Sequence, residues 1–223
     1  MWDSHWEKVF QDREWGRYPA EDLVRFMGRN YYNVPNRKQV KILEVGSGTG
    51  ANLWYLAKEG FDVTGIEGSK TGVERSIKRL KEDGLSARVM VGDVIKLPFE
   101  DDYFDCVVDI ECIYANSYGD SKKIIREIRR TLKPGGKLFS KTLMSGTSGD
   151  GKGQRLEGEE NTYIEFDEGA FRRDGRLTRF TAEKEIGDLY NEFNMVSLDY
   201  SVRTEKNREI EIKEWLIICQ KKT

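Results

Sequence analysis

Glu44-Val45-Gly46-Ser47-Gly48-Thr49-Gly50 sets one carboxylate two residues ahead of three glycines at alternate positions. Ile42, Leu43 and Val45 predict a strand buried on both faces, and Ala51 to Glu59 returns to helical spacing, so the glycines fall at a strand-to-helix turn. There glycine permits positive φ and, lacking Cβ, lets backbone N–H groups approach a phosphate- or nucleotide-sized ligand. Two further apolar runs end on an acid, Asp62-Val63-Thr64-Gly65-Ile66-Glu67 and Val89-Met90-Val91-Gly92-Asp93. Glu67 falls about 20 residues after the first glycine, where an acid closing the second strand reaches the ribose hydroxyls of a nucleoside. Three successive strands therefore carry an acid at the carboxyl end, the edge where open α/β sheets bind ligands. Glycine turns also close ordinary βα units, but such a turn has no use for the carboxylate of Glu44.

The elements that must position these residues alternate along the chain. Val73, Ile77 and Leu80 stripe a helix after Glu67, and Asp102 to Ile110 contains a fourth strand. Ile124, Ile125, Ile128 and Leu132 line the next helix, Lys133-Pro134-Gly135-Gly136 stops it, and Lys137 to Leu143 is a fifth strand. This succession predicts a doubly wound α/β sheet of right-handed βα units with helices on both faces. Met195–Thr204 and Ile210–Lys221 read as two strands joined by a short turn, which makes them antiparallel.

Glu44 to Gly50, Glu67, Gly92-Asp93, Leu97-Pro98-Phe99 through Phe104-Asp105, and Leu132-Lys133-Pro134-Gly135-Gly136 together resemble the class I S-adenosylmethionine-dependent methyltransferases. The resemblance covers roughly residues 40 to 143. A hydride-transfer dehydrogenase is the nearest competitor, but its Gly-x-Gly-x-x-Gly would place the third glycine one residue later. The resemblance implies a Rossmann-like, mostly parallel seven-stranded sheet ordered 3-2-1-4-5-7-6, with one reversed strand near its edge. It also implies S-adenosylmethionine as cofactor and S-adenosylhomocysteine as product. In that reading Gly46, Ser47, Gly48 and Gly50 approach the methionine and ribose portions, Glu67 with Gly68 holds the ribose, and Asp93 with the Val94 backbone holds the adenine. Asp109 and Ile110 lie near the sulfonium, and Glu44 orders the loop or meets the ammonium through water.

The acceptor side is less defined. Asp109, Glu111, Tyr114 and Lys141 stand at strand ends facing the presumed acceptor, and a general base is needed only if the acceptor atom is protonated at working pH. His5, the sole histidine, reads as incidental. The chain lacks both the Asn/Asp-Pro-Pro-Tyr signature of amino-methylating nucleic-acid enzymes and a Pro-Cys nucleophile. A small-molecule acceptor methylated on oxygen or nitrogen is the leading expectation. A protein methyltransferase and a non-catalytic cofactor-binding subunit that needs a partner are the alternatives.

Before the glycine loop, residues 1–37 are rich in aromatics: Trp2, Trp6, Phe10, Trp15, Tyr18, Phe26, Tyr31 and Tyr32. Trp6, Val9 and Phe10 predict one short helix, and Leu23, Val24, Phe26 and Met27 a second that starts at Pro19. These aromatics dock helices on the domain or, as the resemblance implies, cover the cofactor. Trp15, Arg17 and Tyr18 are the candidates for that cover, with Arg17 facing the methionine carboxylate. Residues 38–143 then form the cofactor-binding core, 144–180 an insertion, and 181–223 a helix with the antiparallel strand pair. Met144 to Gly153 is too glycine-rich to hold one conformation unaided, and the insertion reads as a lid. Its Gly-x-x-x-x-Gly-Lys match is not a P-loop, because Gly153 stands where Ser or Thr is required. Arg172, Arg173, Arg176 and Arg179 either clamp an acceptor anion or form a solvated face.

Composition bounds the rest. With 223 residues, 38% hydrophobic and 34% charged, the expectation is one domain with one sizeable core. A net charge of −2 without a basic stripe argues against a nucleic-acid partner. Cys106, Cys112 and Cys219 have no metal-ligand spacing and suit reduced thiols, and no metal is expected. The sequence offers no leader-like start and no run long enough to span a membrane, so the protein is expected in the cytoplasm as a monomer or homodimer.

Overall fold

The computed structural model describes residues 3–166 and 175–223, so Trp2, Arg172 and Arg173 lie outside the described residues. In chain order the elements are α1 (His5–Asp12), α2 (Glu21–Asn30), β1 (Lys41–Val45), α3 (Ala51–Lys58), β2 (Asp62–Glu67) and α4 (Lys70–Glu82). They continue through β3 (Arg88–Val91), β4 (Phe104–Ile110), α5 (Tyr118–Thr131), β5 (Leu132–Leu143), β6 (Gln154–Arg155), β7 (Thr162–Ile164) and β8 (Thr178–Arg179). The chain ends in α6 (Glu183–Leu189), β9 (Phe193–Glu205) and β10 (Ile210–Lys221).

Seven strands form one sheet in the order β3-β2-β1-β4-β5-β10-β9, the arrangement expected, with β10 antiparallel to both β5 and β9. The side-chain period of two explains why the strands read as unbroken apolar runs. Ile42, Cys106, Val108 and Phe139 point to the face covered by α2 and α3, where Phe26 stacks on Phe139 at 4.8 Å. Leu43, Val45, Val107 and Leu138 point to the other, covered by Ile124, Ile125 and Ile128 of α5 and Ile186 of α6. The β9–β10 turn carries positive φ at Lys206, Asn207 and Arg208.

Two features differ from the sequence expectation. β5 starts at Leu132 directly after α5, and the Pro134-Gly135 segment is absorbed as an irregularity against β4, with φ +76° at Gly135. The insertion also contains a small sheet, β6-β7-β8, whose Phe166 and Phe180 pack with Tyr114, Leu143 and Ile212. Its glycine-rich start is fixed from outside itself. Lys213 N donates to Thr147 Oγ1 at 3.0 Å and Ser148 N to Glu211 O at 2.8 Å, so β10 supplies the order that composition lacks. Among the described residues, no helix is long and apolar enough to cross a membrane.

Candidate functional site

The carboxyl edge of the sheet opens into a cavity of about 380 Å³. Its floor is the β1–α3 turn. Gly46, Gly48 and Gly50 all have positive φ, at +64°, +51° and +81°, and side chains crowd the loop from behind. A Cβ on Gly46 would lie 2.5 Å from Cys112 Sγ, and one on Gly50 would lie 2.1 Å from Ser76 Oγ. The loop therefore needs glycine both for its torsions and for its packing. Gly46, Ser47 and Gly48 line the cavity; Gly50 caps α3 behind them.

Glu67 ends β2 at the cavity wall and accepts Gly48 N and Ser69 N, each at 2.8 Å. Each oxygen then retains acceptor capacity for a ligand hydroxyl. Burial pushes its pKa up, and these backbone N–H groups pull it back. Gly68, Gly92, Asp93 and Val94 continue the same wall, and Asp93 Oδ1 accepts Ile95 N at 3.1 Å.

Glu44 is almost fully enclosed. It is 2% exposed, and its Oε1 accepts Asn52 Nδ2 at 2.7 Å while Asn52 Oδ1 accepts Ala20 N at 3.1 Å. Oε2 is buried without a hydrogen-bond partner in a residue that lines the cavity. Burial pushes the Glu44 carboxyl up to about 8, with the Asn52 side chain and the Leu53 backbone N–H opposing and the Glu67 and Asp109 carboxylates adding to the rise. A buried carboxyl held this way is stabilised by a cation delivered by a ligand.

Asp109 is placed differently from the sequence expectation. It is fully buried outside the cavity lining, its Oδ1 accepting Cys112 N and Ile113 N at 3.0 and 3.1 Å and its Oδ2 accepting Ser140 Oγ at 2.5 Å. These bonds shape the turn after β4, which brings Ile110, Glu111, Cys112 and Tyr114 to the cavity. Burial pushes Asp109 up to about 6, against the three hydrogen bonds. Glu111 sits in that turn with φ +63°.

The aromatic segment before the loop closes the opposite side. Trp6, Phe10, Trp15, Gly16, Tyr18 and Pro19 line the cavity, and the Trp6, Phe10 and Trp15 rings meet pairwise at 5.6 to 5.9 Å. Arg17 does not line it; its Nη2 lies 3.9 Å from Glu82 Oε2 and the side chain is mostly in solvent. Among the described residues of the insertion none lines the cavity, but the Arg176 guanidinium sits 4.4 Å from the Trp6 ring centroid. Arg179 is fully buried, 3.4 Å from Glu185 Oε1, so neither arginine belongs to a solvated face.

Sequence reasoning missed Asn52, Cys112, Arg203 and Glu214. Asn52 follows Gly50 in the first turn of α3, a position from which a polar side chain turns back toward the loop. Glu214, 2% exposed beside Trp215 and Leu216, interrupts an apolar strand with an acid, and that interruption was the available signal.

Comparison with known proteins agrees with this geometry. Residues 42–136 match a family model described as a methyltransferase domain. Norajmaline N-methyltransferase of Rauvolfia serpentina is 36% identical over 118 residues, 52% of this chain and 39% of that protein. The chain spans between 28% and 40% of the length of the first three curated relatives. The structure of a SAM-dependent methyltransferase from Methanosarcina mazei superposes with a TM-score of 0.74 at 20% identity, covering 92% of this chain and 99% of that one. 1,6-Didemethyltoxoflavin-N1-methyltransferase of Burkholderia thailandensis, solved with S-adenosylhomocysteine bound, gives 0.62 at 16% identity over 91% of this chain and 86% of its own. The sheet order, the glycine turn and the acids at the strand ends thus agree with the match of residues 42–136 to a methyltransferase domain, and the fold is that of solved S-adenosylmethionine-dependent methyltransferases.

Proposed function

We propose that the chain binds S-adenosylmethionine in this cavity and transfers its methyl group to an oxygen or nitrogen atom of a small-molecule acceptor by in-line displacement. The observation that carries the reading is the buried, unpaired Glu44 Oε2 in one cavity with Glu67 and Asp93. S-adenosylmethionine, with an ammonium, a sulfonium and one carboxylate, is a net cation, and the lining is acidic. The relatives named for methyl transfer to norajmaline and to 1,6-didemethyltoxoflavin support a small-molecule acceptor.

In this reading Glu44 takes the ammonium, directly or through one water. The backbone from Gly46 to Gly48 runs along the methionine and ribose, Glu67 accepts from the ribose hydroxyls, and Asp93 with the Val94 backbone faces the adenine. When bound, the cofactor supplies a methyl group already activated by the sulfonium. The protein's work is then to orient the acceptor and exclude water, which Trp6, Phe10 and Trp15 do from above. Ile110, Glu111, Tyr114 and Lys141 border the acceptor's side. The reading is of a cytoplasmic enzyme acting on a dissolved metabolite, without nucleic acid.

Titration calorimetry with S-adenosylmethionine and S-adenosylhomocysteine tests it. Saturable binding is expected, weakened by about 1–3 kcal/mol in Glu67→Ala, which removes a buried acceptor. Wild-type protein that binds neither compound would overturn the reading.

A further inference from the structure

The acceptor end of the cavity holds a second group of charges. Glu111, Tyr114, Asn116, Lys141 and Arg203 line it, and Glu214 stands buried behind them on β10. Glu214 Oε2 accepts Arg203 Nη1 at 2.8 Å and lies 3.1 Å from Lys141 Nζ. Lys141 Nζ is also 3.2 Å from Asp22 Oδ2 of α2, and Arg203 Nε is 3.6 Å from Glu205 Oε1. Both cations therefore already face carboxylates. Burial opposes the charge on Lys141, but Glu214, Glu111 and Asp22 outweigh it and hold its pKa up.

Glu111 is different. Its carboxyl faces that of Glu214, and burial together with this neighbouring acid favours its protonated form. The charged groups facing it are Glu214 from β10, Lys141 from β5 and Arg203 from β9, with Asp22 of α2 beyond Lys141. Burial first, then Glu214, raise its pKa, while Lys141 and Arg203 oppose the rise.

Building on the methyltransferase reading, we propose that the acceptor is an amine that enters as an ammonium at Glu111, and that Glu111, held against Glu214, takes the proton the nitrogen must lose before methylation. An anionic acceptor would meet Lys141 and Arg203 only by displacing Asp22, Glu205 or Glu214, and would face Glu44, Glu67, Asp93 and Glu111 across the same cavity. An ammonium instead replaces the proton of Glu111 and turns a carboxyl pair into a salt bridge. The unpaired Glu44 Oε2 in the same cavity marks this space as built for ligands, independently of the acids at its far end. Tyr18, Pro19 and Tyr114 also line the cavity and suit an apolar or aromatic body behind the nitrogen.

The step balances. An N–H proton of the ammonium passes to the Glu111 carboxylate and leaves a lone pair on nitrogen. That pair forms the new C–N bond while the C–S pair returns to sulfur, giving a methylated ammonium and a neutral thioether. Glu111 then yields its proton to solvent.

The test uses protein saturated with S-adenosylhomocysteine and three probes sharing one ring: benzylamine, benzyl alcohol and benzoate. Binding is read at pH 7 by NMR, and proton release by calorimetry in buffers of different ionisation enthalpy. Benzylamine is expected to bind at least about tenfold more tightly than either other probe, to release a proton on binding, and to lose about tenfold in Glu111→Gln. Alcohol or benzoate binding as tightly, no probe binding, or benzylamine binding without proton release would overturn the proposal; the proton readout needs only wild-type protein. Failure of S-adenosylhomocysteine itself to bind would remove the methyltransferase reading with it, whereas saturation by it with indifferent probes removes the amine assignment alone.

Discussion

The carboxylate of Glu7 in α1 accepts the hydroxyl of Ser69 at 2.6 Å, and Ser69 is the N-cap of α4 whose N–H is itself held by Glu67. Glu7 also accepts Thr71 Oγ1 at 2.5 Å and Thr71 N at 3.3 Å. The aromatic cover is thus tied to the N-terminus of a helix beside the proposed ribose acid, where negative charge is favoured. These donors, with Gln11 Nε2, hold the Glu7 pKa below its ordinary value.

Release of that tie is expected to show in cofactor kinetics. Glu7→Ala should leave the fold intact and speed S-adenosylhomocysteine dissociation by about three- to tenfold, the net effect of losing the bonds to Ser69 and Thr71 at a partly solvated site. Stopped-flow tryptophan fluorescence, reporting Trp6 and Trp15, measures it; an unchanged off-rate would mean the cover does not gate the cavity.

Glu44 predicts a pH dependence of definite sign. Its folded-state value of about 8 lies above the ordinary carboxyl value of 4.5, so its contribution to apo stability is present below about 4.5 and is lost as pH rises through 8. An ammonium bound at Glu44 favours the ionised form, so binding releases a proton and affinity rises with pH from about 6 to 8. Glu44→Gln should flatten that slope and raise the apo Tm at pH 8 more than at pH 5. Parallel calorimetric and thermal titrations check both.

The glycine turn is predicted to tolerate no side chain. Gly50→Ala places a Cβ 2.1 Å from Ser76 Oγ at φ +81°, so it should destabilise the protein by about 2–4 kcal/mol. Replacing Ser76 by glycine in the same chain should recover the packing part and leave the torsional part. Urea unfolding of the two variants separates them.

Arg17→Ala is expected to leave S-adenosylmethionine affinity within about twofold, because an exposed pair contributes little. Arg176→Ala should instead increase hydrogen exchange across residues 5–12, since Arg176 stacks on Trp6; the cation–π contact is of order 1 kcal/mol.

The contrast between these two arginines marks what was legible in the sequence. The glycine turn and the acidic wall of the cavity could be read because their parts are local: Gly46, Gly48 and Gly50 encode a turn, and Glu67 and Asp93 end apolar strands at the same sheet edge. Arg17 was assigned to the cavity by its place in an aromatic run, but nothing local fixes where a long side chain in a loop will point. Asp109 was placed at the right edge, yet its parity along β4 turns it to Ser140 and away from the cavity. The acceptor side depends on pairings distant in sequence. Glu214 meets Arg203 only because β9 and β10 form a hairpin, and meets Lys141 only because β10 inserts beside β5. The insertion was hidden for the same reason, its glycine-rich start being ordered by Glu211 and Lys213.

The measurement that bears most directly on the central claim is a crystal structure of the protein grown with S-adenosylhomocysteine. The account predicts the ligand in the cavity at the carboxyl edge, its ammonium within about 3 Å of Glu44 Oε2 or one water away, its ribose hydroxyls on Glu67 and its adenine beside Asp93 and Val94. Density for the ligand elsewhere, or a cavity in which Glu44 Oε2 stays without a partner at saturating ligand, would contradict it.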